Sequence, residues 1–192
     1  MPDDLHAAAA AGDPEAQYEL ALALDNEQGP GRDPAGAARW YRLAAEQGHP
    51  AAQLHLGLMH DAGDGVPEDA AAAVHWYRLA AGQGLADAQV NLGLMHLNGS
   101  GTPRDDAAAL ACFRAAAEQG HAKGQFNLGA LLYNGVAGEP DFSAVYCWWT
   151  LAALQGHPAA QQNLEGVARR LTPEGLAKAQ AAVARALRAR EP

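Results

Sequence analysis

Leucine recurs at Leu20, Leu56, Leu92, Leu128 and Leu164, each 36 residues after the last, and its neighbours recur in step. Ala16, Ala52, Ala88 and Ala160 keep the same register, as do Gln17, Gln53, Gln89, Gln125 and Gln161, and Gly12, Gly48, Gly84, Gly120 and Gly156 punctuate it. A fixed period of this length, with no insertion to break it, marks a supersecondary unit that cannot bury its apolar face alone and stacks on its neighbours.

Inside one period the local signals are helical. Pro50 suits a first helical position, and residues 50–62 run into the turn Gly63-Asp64-Gly65, which predicts a first helix, A. Asp69 is an N-cap candidate and Gly84 a C-terminal stop, which predicts a second helix, B, over 70–83. Asp33, Asp105 and Asp141 repeat the cap, and alanine-rich interiors favour the helix. The pattern predicts one all-α domain over residues 1–192: a short helix within 1–12, repeats at 13–48, 49–84, 85–120 and 121–156, a half repeat at 157–171, and a capping helix at 172–192. The last helix opens on Thr172-Pro173-Glu174 and carries Leu176, Val183 and Leu187 on one face, with Arg185, Arg188 and Arg190 mostly elsewhere.

Charge narrows the choice of partner. The net charge is -9, so nucleic acid and anionic membranes are disfavoured. Residues 1–165 hold 7 Lys/Arg against 20 Asp/Glu, or -13, and residues 166–192 hold 6 against 2, or +4. The basic end either docks an acidic flank of another copy or keeps the cap soluble. No run approaches the roughly 20 apolar residues of a membrane span, and Asp3 and Asp4 stand where a secretion signal is basic, which predicts a cytoplasmic chain without membrane insertion. Cys112 and Cys147 lack the paired spacing of a zinc site and are expected to be reduced and buried. Arginine far outnumbers lysine and alanine is abundant, which hints at a GC-rich bacterial source.

Residues 52–84 carry Ala52, Leu56, Gly57, Gly63, Gly65, Val66, Pro67, Asp69, Trp76, Tyr77, Leu79, Ala80, Ala81, Gln83 and Gly84, a pattern that resembles the Sel-one-like repeat (SLR) family, relatives of tetratricopeptide repeats. Leu171-Thr172-Pro173-Glu174 is similar to the terminal helix common in that family. The resemblance implies a right-handed α/α solenoid of helix-turn-helix repeats, with helix A lining a concave face and Leu56, Gly57 and His60 turned toward helix B. Three departures bear on local structure. The first repeat has Ala21 for the glycine and Gln28-Gly29-Pro30-Gly31 in its turn, the fourth has Val136-Ala137-Gly138-Glu139, and Cys112 replaces the helix B tryptophan of the third.

Trp40, Trp76 and Trp148 recur on helix B and are expected to fill the space between adjacent helices. On helix A, matching positions give two apolar rows, Tyr18, Leu54, Val90 and Phe126, and Leu22, Leu58, Leu94 and Ala130. Either they form a binding groove, since large exposed apolar patches mark interaction sites, or tight curvature buries them as core. Beside them stand Asp25, Asp61, Leu97 and Tyr133, then Asn26, Ala62, Asn98 and Asn134, where asparagine suits either an extended peptide backbone or a helix C-terminus. The candidate partner-binding set is therefore Tyr18, Leu22, Asn26, Leu54, Leu58, Asp61, Val90, Leu94, Asn98, Phe126, Tyr133 and Asn134.

No nucleophile, acid–base or phosphate-cradling motif stands out, so no catalytic, cofactor or metal residues are expected. His49, His121 and His157 share one repeat position and His60 and His96 another, which separates them by a repeat and assigns them structural roles. The expected function is a non-enzymatic scaffold or adaptor, monomeric or weakly self-associating, that grips a protein or peptide partner. The resemblance implies bacterial signalling, envelope regulation, secretion or host-interaction contexts, toxin immunity among them. It also keeps open a weak hydrolase on a small or cell-wall substrate, and the charge split keeps open a self-assembling element.

Overall fold

A computed structural model describes residues 2–26 and 31–188 and places eleven helices among them. They are α1 (Pro2–Ala10), α2 (Pro14–Asp25), α3 (Pro34–Glu46), α4 (Pro50–Ala62), α5 (Ala70–Gly82), α6 (Ala86–Asn98), α7 (Asp106–Glu118), α8 (Ala122–Tyr133), α9 (Phe142–Leu154), α10 (Pro158–Ala168) and α11 (Pro173–Arg188). The even-numbered helices are the A helices of the repeat, and α3, α5, α7 and α9 the B helices. The chain divides into two compact units, residues 1–104 with α1–α6 and residues 105–192 with α7–α11. The division falls between the A and B helices of the third repeat. In the first unit each helix packs on the one before it, and in the second α8, α9 and α10 do the same while α11 returns to pack on α9. This is the all-α architecture of tandem helical hairpins that the period predicts.

The helices begin and end where the side chains dictate. Asp33, Asp69, Asp105 and Asp141 each accept a backbone N–H in the first turn of a B helix, at 2.9, 3.0, 2.9 and 3.0 Å. Each such cap stabilises its helix by about 1 kcal/mol. His49, His121 and His157 do the same for A helices, their Nδ1 accepting the N–H of Ala52, Gly124 and Ala160 at 3.1, 3.3 and 3.3 Å. An accepting Nδ1 requires a neutral imidazole. Thr172 caps α11 through the N–H of Gly175 at 3.1 Å.

The recurrent glutamines stitch successive hairpins together. The amides of Gln17, Gln53, Gln89, Gln125 and Gln161 donate to the carbonyls of Ala9, Ala45, Ala81, Ala117 and Ala153, at 3.1, 3.0, 3.4, 3.3 and 3.2 Å. Each of those carbonyls lies in the last turn of the preceding helix and also accepts the N–H of the glycine three residues on, Gly12, Gly48, Gly84, Gly120 or Gly156. Three of the glutamine oxygens in turn accept from Gln47, Gln83 and Gln155, at 2.8, 2.8 and 2.9 Å. Gln53 is 3 % exposed and Gln125 fully buried, so these pairings satisfy amides that would otherwise be costly to bury.

The core corrects one expectation. Trp40, Trp76 and Trp148 are only half-buried, and the side chains that fill the space between helices are the next residues along, Tyr41, Tyr77, Phe113 and Trp149. Tyr41, Tyr77 and Phe113 have no exposed surface. The third repeat therefore keeps its aromatic anchor in spite of Cys112. The glycine after leucine serves this anchor: a Cβ on Gly57 would stand 2.6 Å from Tyr77 Cε1, and one on Gly129 would stand 2.5 Å from Trp149 Nε1.

The A–B turns also hold the stack. Gly65 and Gly101 take left-handed φ angles of 70° and 66°, and a Cβ there would meet the carbonyl oxygens of Pro34 and Ala70 at 2.3 and 2.1 Å, so each turn rests directly on the start of the preceding B helix. In the fourth repeat Gly135 and Gly138 take φ angles of 73° and 119°, a different turn, as its sequence predicts. The corresponding Gln28-Gly29-Pro30 lies outside the described residues. On α11 the buried face is Ala179 and Val183, with Leu176 half-buried and Leu187 40 % exposed, so the cap packs one turn earlier than its leucines indicate.

Candidate functional site

Two clefts, each about 500 Å³, open between A helices, one in each unit. In the first unit Asp25, from the end of α2, faces His55, Leu58, Met59, Asp61 and Ala62 of α4, with Arg32 and Asp64 from the turns. In the second, Phe126, Ala130 and Tyr133 of α8 and the following Asn134 face Gln162, Asn163, Gly166 and Val167 of α10 and the following Arg170, above Trp149 of α9. The two clefts occupy the same place in the repeat. Tyr133, Asn163, Gly166, Val167 and Arg170 stand three periods after Asp25, His55, Leu58, Met59 and Ala62.

Aromatic stacking sets the spacing of the A helices at both places. Tyr18 of α2 stacks on the cap His49 of α4 with centroids 4.5 Å apart, and Phe126 of α8 stacks on the cap His157 of α10 at 4.4 Å. His55 lies flat on the buried Tyr41 at 5.0 Å, while Phe126 and Tyr133 both stack on Trp149, at 5.9 and 5.7 Å. The Trp149 indole N–H donates to the carbonyl of Phe126 at 3.1 Å. Burial holds the His55 imidazole below the usual histidine pKa, with Asp25 acting in opposition, and burial followed by the Lys123 charge does so for His157.

The same scaffold carries opposite chemistry at its two clefts. In the first unit Arg32 bridges Asp25, at 3.0 Å, and Asp64, and Asp61 accepts from the Tyr77 hydroxyl at 3.5 Å. Burial and the Asp61 carboxylate both push the Tyr77 phenol up. Three carboxylates against one guanidinium leave this cleft acidic. Among the described residues the second cleft has no acid in its wall, and its one ion is Arg170, whose guanidinium carbon lies 5.5 Å from the Tyr133 ring centre and 5.2 Å from that of Phe142. Among the described residues, no three His, Cys, Asp or Glu side chains are grouped to hold a metal ion, and no helix is long and apolar enough to cross a membrane.

The residues proposed from sequence fall into three groups. Leu22, Leu58 and Leu94 are exposed, at 38, 41 and 37 %, on three successive A helices of the first unit. Tyr18, Leu54, Phe126 and Tyr133 are half-buried, their rims reaching solvent, whereas Val90 is 3 % exposed and has no surface to offer a partner; it packs as core. Asn26 and Asn134 sit at the C-caps of α2 and α8, and Asn98 ends α6 before the left-handed Gly99, so the asparagine file lies at helix ends. The first cleft gathers Leu58 and Asp61, and the second gathers Phe126, Tyr133 and Asn134. Sequence reasoning passed over Arg32, His55, Asp64, Gln162, Asn163, Gly166 and Arg170. The repeat register could have located His55 and Asn163 as equivalents, but not the gap between helices that they border. A further exposed pair, Leu43 and Leu79 at 43 and 40 %, recurs on B helices of the first unit.

Comparison with known proteins bears on the whole architecture. The Sel1 repeat model matches residues 14–49, 50–85, 86–121 and 122–157. Among solved structures, a protective antigen of uropathogenic Escherichia coli with an SLR fold is 39 % identical with a TM-score of 0.78, over 82 % of this chain and 34 % of the antigen. A Sel1 repeat protein of Oxalobacter formigenes is 32 % identical with a TM-score of 0.74, over 81 % of this chain and 64 % of its own. A Klebsiella pneumoniae protein at 23 % identity and a TM-score of 0.54, over 85 % of this chain and 82 % of its own, shares the fold. The chain thus spans 34 % and 64 % of the first two relatives, less than two thirds of either. Comparison with curated proteins gives no match. Four matched repeats that cover residues 14–157 without a gap, each built on the same capped hairpin, make this chain a member of the Sel1 repeat family.

Proposed function

We propose that the chain is a non-catalytic scaffold that binds a protein or peptide segment on the face formed by the A helices of its first unit. The observation that carries this reading is the file of Leu22, Leu58 and Leu94, each more than a third exposed at one repeat position. Their core neighbours Leu20, Leu56 and Leu92 are nearly or fully buried, so the stack does not need these second leucines for its own packing. Exposed leucine is costly in water, and a regular file of it is stabilised by covering it. The first-unit cleft beside the file supplies polar groups that give such a surface direction. The relatives are bacterial proteins, which supports a bacterial context.

The test is the paired change Leu58→Glu with Leu94→Glu in the full chain, with Leu43→Glu and Leu79→Glu as the control pair on the B helices. Both pairs are solvent-facing, so circular dichroism and the urea midpoint should stay close to the parent. Loss of partner capture, read by mass spectrometry, is expected for the A-helix pair only. Capture retained by the A-helix pair and lost by the control pair would move the binding surface to the B helices.

A further inference from the structure

The second-unit cleft differs in charge from its first-unit counterpart. The chain carries -9 overall, yet among the described residues this cleft has a single cation and no carboxylate in its wall. Among the described residues no acid neutralises Arg170: Glu165 pairs with its neighbour Arg169, and the contacts of the Arg170 guanidinium are the rings of Tyr133 and Phe142. Among the described residues no hydrogen bond or ion pair engages the Arg170 side-chain N–H groups, and a guanidinium matches a carboxylate with two parallel hydrogen bonds. Around it the cleft offers an aromatic floor of Phe126, Tyr133 and Trp149, and amides from Asn134, Gln162 and Asn163 that both donate and accept. At Gly166 an added Cβ would meet nothing within 4 Å, so the cleft is open at its centre.

We propose that this cleft receives the C-terminal residue of a protein partner, its apolar side chain on the aromatic floor and its terminal carboxylate on Arg170. The assignment rests on the scaffold reading above and names the partner's chemistry at one of its sites. A volume of about 500 Å³ lies in the range for one bound group of this size. Within it, anion and apolar surface must arrive close together. A C-terminal residue carries both on one Cα. An internal acidic residue next to an apolar one sends its side chain the opposite way in an extended segment. The equivalent first-unit cleft is the internal contrast: Asp25, Asp61 and Asp64 would repel a carboxylate, and Leu58 fills the place of Gly166.

The test is a titration of the ¹⁵N-labelled full chain, followed by amide shifts, with N-acetyl-L-phenylalanine, its carboxamide, and a blocked Phe-Glu dipeptide amide. The free acid should bind at least about tenfold more tightly than the carboxamide or the blocked dipeptide, with shifts centred on Asn163, Gly166 and Arg170. Arg170→Gln should bring the acid down to the level of the carboxamide. Gly166→Leu, which copies Leu58 into a position with room for it, should abolish binding of both while the rest of the spectrum is preserved. Acid and carboxamide binding alike, no binding of the acid, blocked dipeptide binding as tightly as the acid, or indifference to Arg170→Gln would overturn the assignment. Any of these results alongside loss of capture by the Leu58→Glu and Leu94→Glu pair would remove the C-terminal assignment and leave the scaffold reading standing, so the two fail separately.

Discussion

Gly57→Ala should destabilise the protein even though alanine is the better helix former. Gly57 lies inside α4, where replacing glycine by alanine normally stabilises by about 1 kcal/mol. Here the new methyl would stand 2.6 Å from Cε1 and 2.7 Å from Cδ1 of Tyr77, a ring with no exposed surface and so no easy retreat. Ordinary carbon contacts lie near 3.5–4.0 Å, so ring and helix must separate by about 1 Å. Overpacking of this kind costs roughly 1–3 kcal/mol. With the upper value the net loss is about 2 kcal/mol, or roughly 4–8 °C in melting temperature for a chain of this size. Gly82→Ala is the control: the site is exposed at the end of α5, has nothing within 4 Å of the added methyl, and should gain up to about 1 kcal/mol. Urea unfolding followed by circular dichroism at 222 nm reads both. A Gly57→Ala midpoint at or above the parent would refute the reasoning. So would a Gly57→Ala loss that is undiminished when Tyr77 is first replaced by leucine, since the cost is assigned to that one contact.

The remaining predictions concern the core and the histidines. Tyr77→Ala should cost about 3–5 kcal/mol and Trp76→Ala roughly half as much, because Tyr77 is sealed and Trp76 is half in solvent; a larger urea-midpoint loss for Trp76→Ala would contradict this. For acid sensitivity, His55 and His157 both titrate below their unfolded value of about 6.5. The folded state therefore holds fewer protons, and the stability it gains from them is fully present above pH 6.5 and is lost as pH falls through the lower folded values. The urea midpoint should drop between pH 7.5 and 5.5, and less so in a His55→Phe, His157→Asn variant, which keeps a ring on Tyr41 and a cap on α10 without titrating; an equal drop in that variant would assign the acid sensitivity elsewhere.

Much of this fold is legible in the sequence because it is written locally and then copied. Caps such as Asp69 and His49 act within three residues of themselves, so α4 and α5 begin where the side chains indicate. What is not local is the phase of each buried stripe. Trp76 and Tyr77 are adjacent on α5 and point about 100° apart; which of them is sealed depends on where α4 presses, and α4 presses through Gly57. Val90 shares its repeat position with Leu54, yet one is buried and the other half-buried, because equal register does not mean equal neighbours.

By itself, the sequence determined the period, the helix boundaries and the family, since each depends on residue identity at fixed spacing. Tertiary structure alone decided that Leu58 and Leu94 face water, that Gln53 reaches back to Ala45, and that Arg170 meets two aromatic rings in a cleft with no acid among the described residues. Those facts depend on how one helix packs against another, which spacing along the chain does not record.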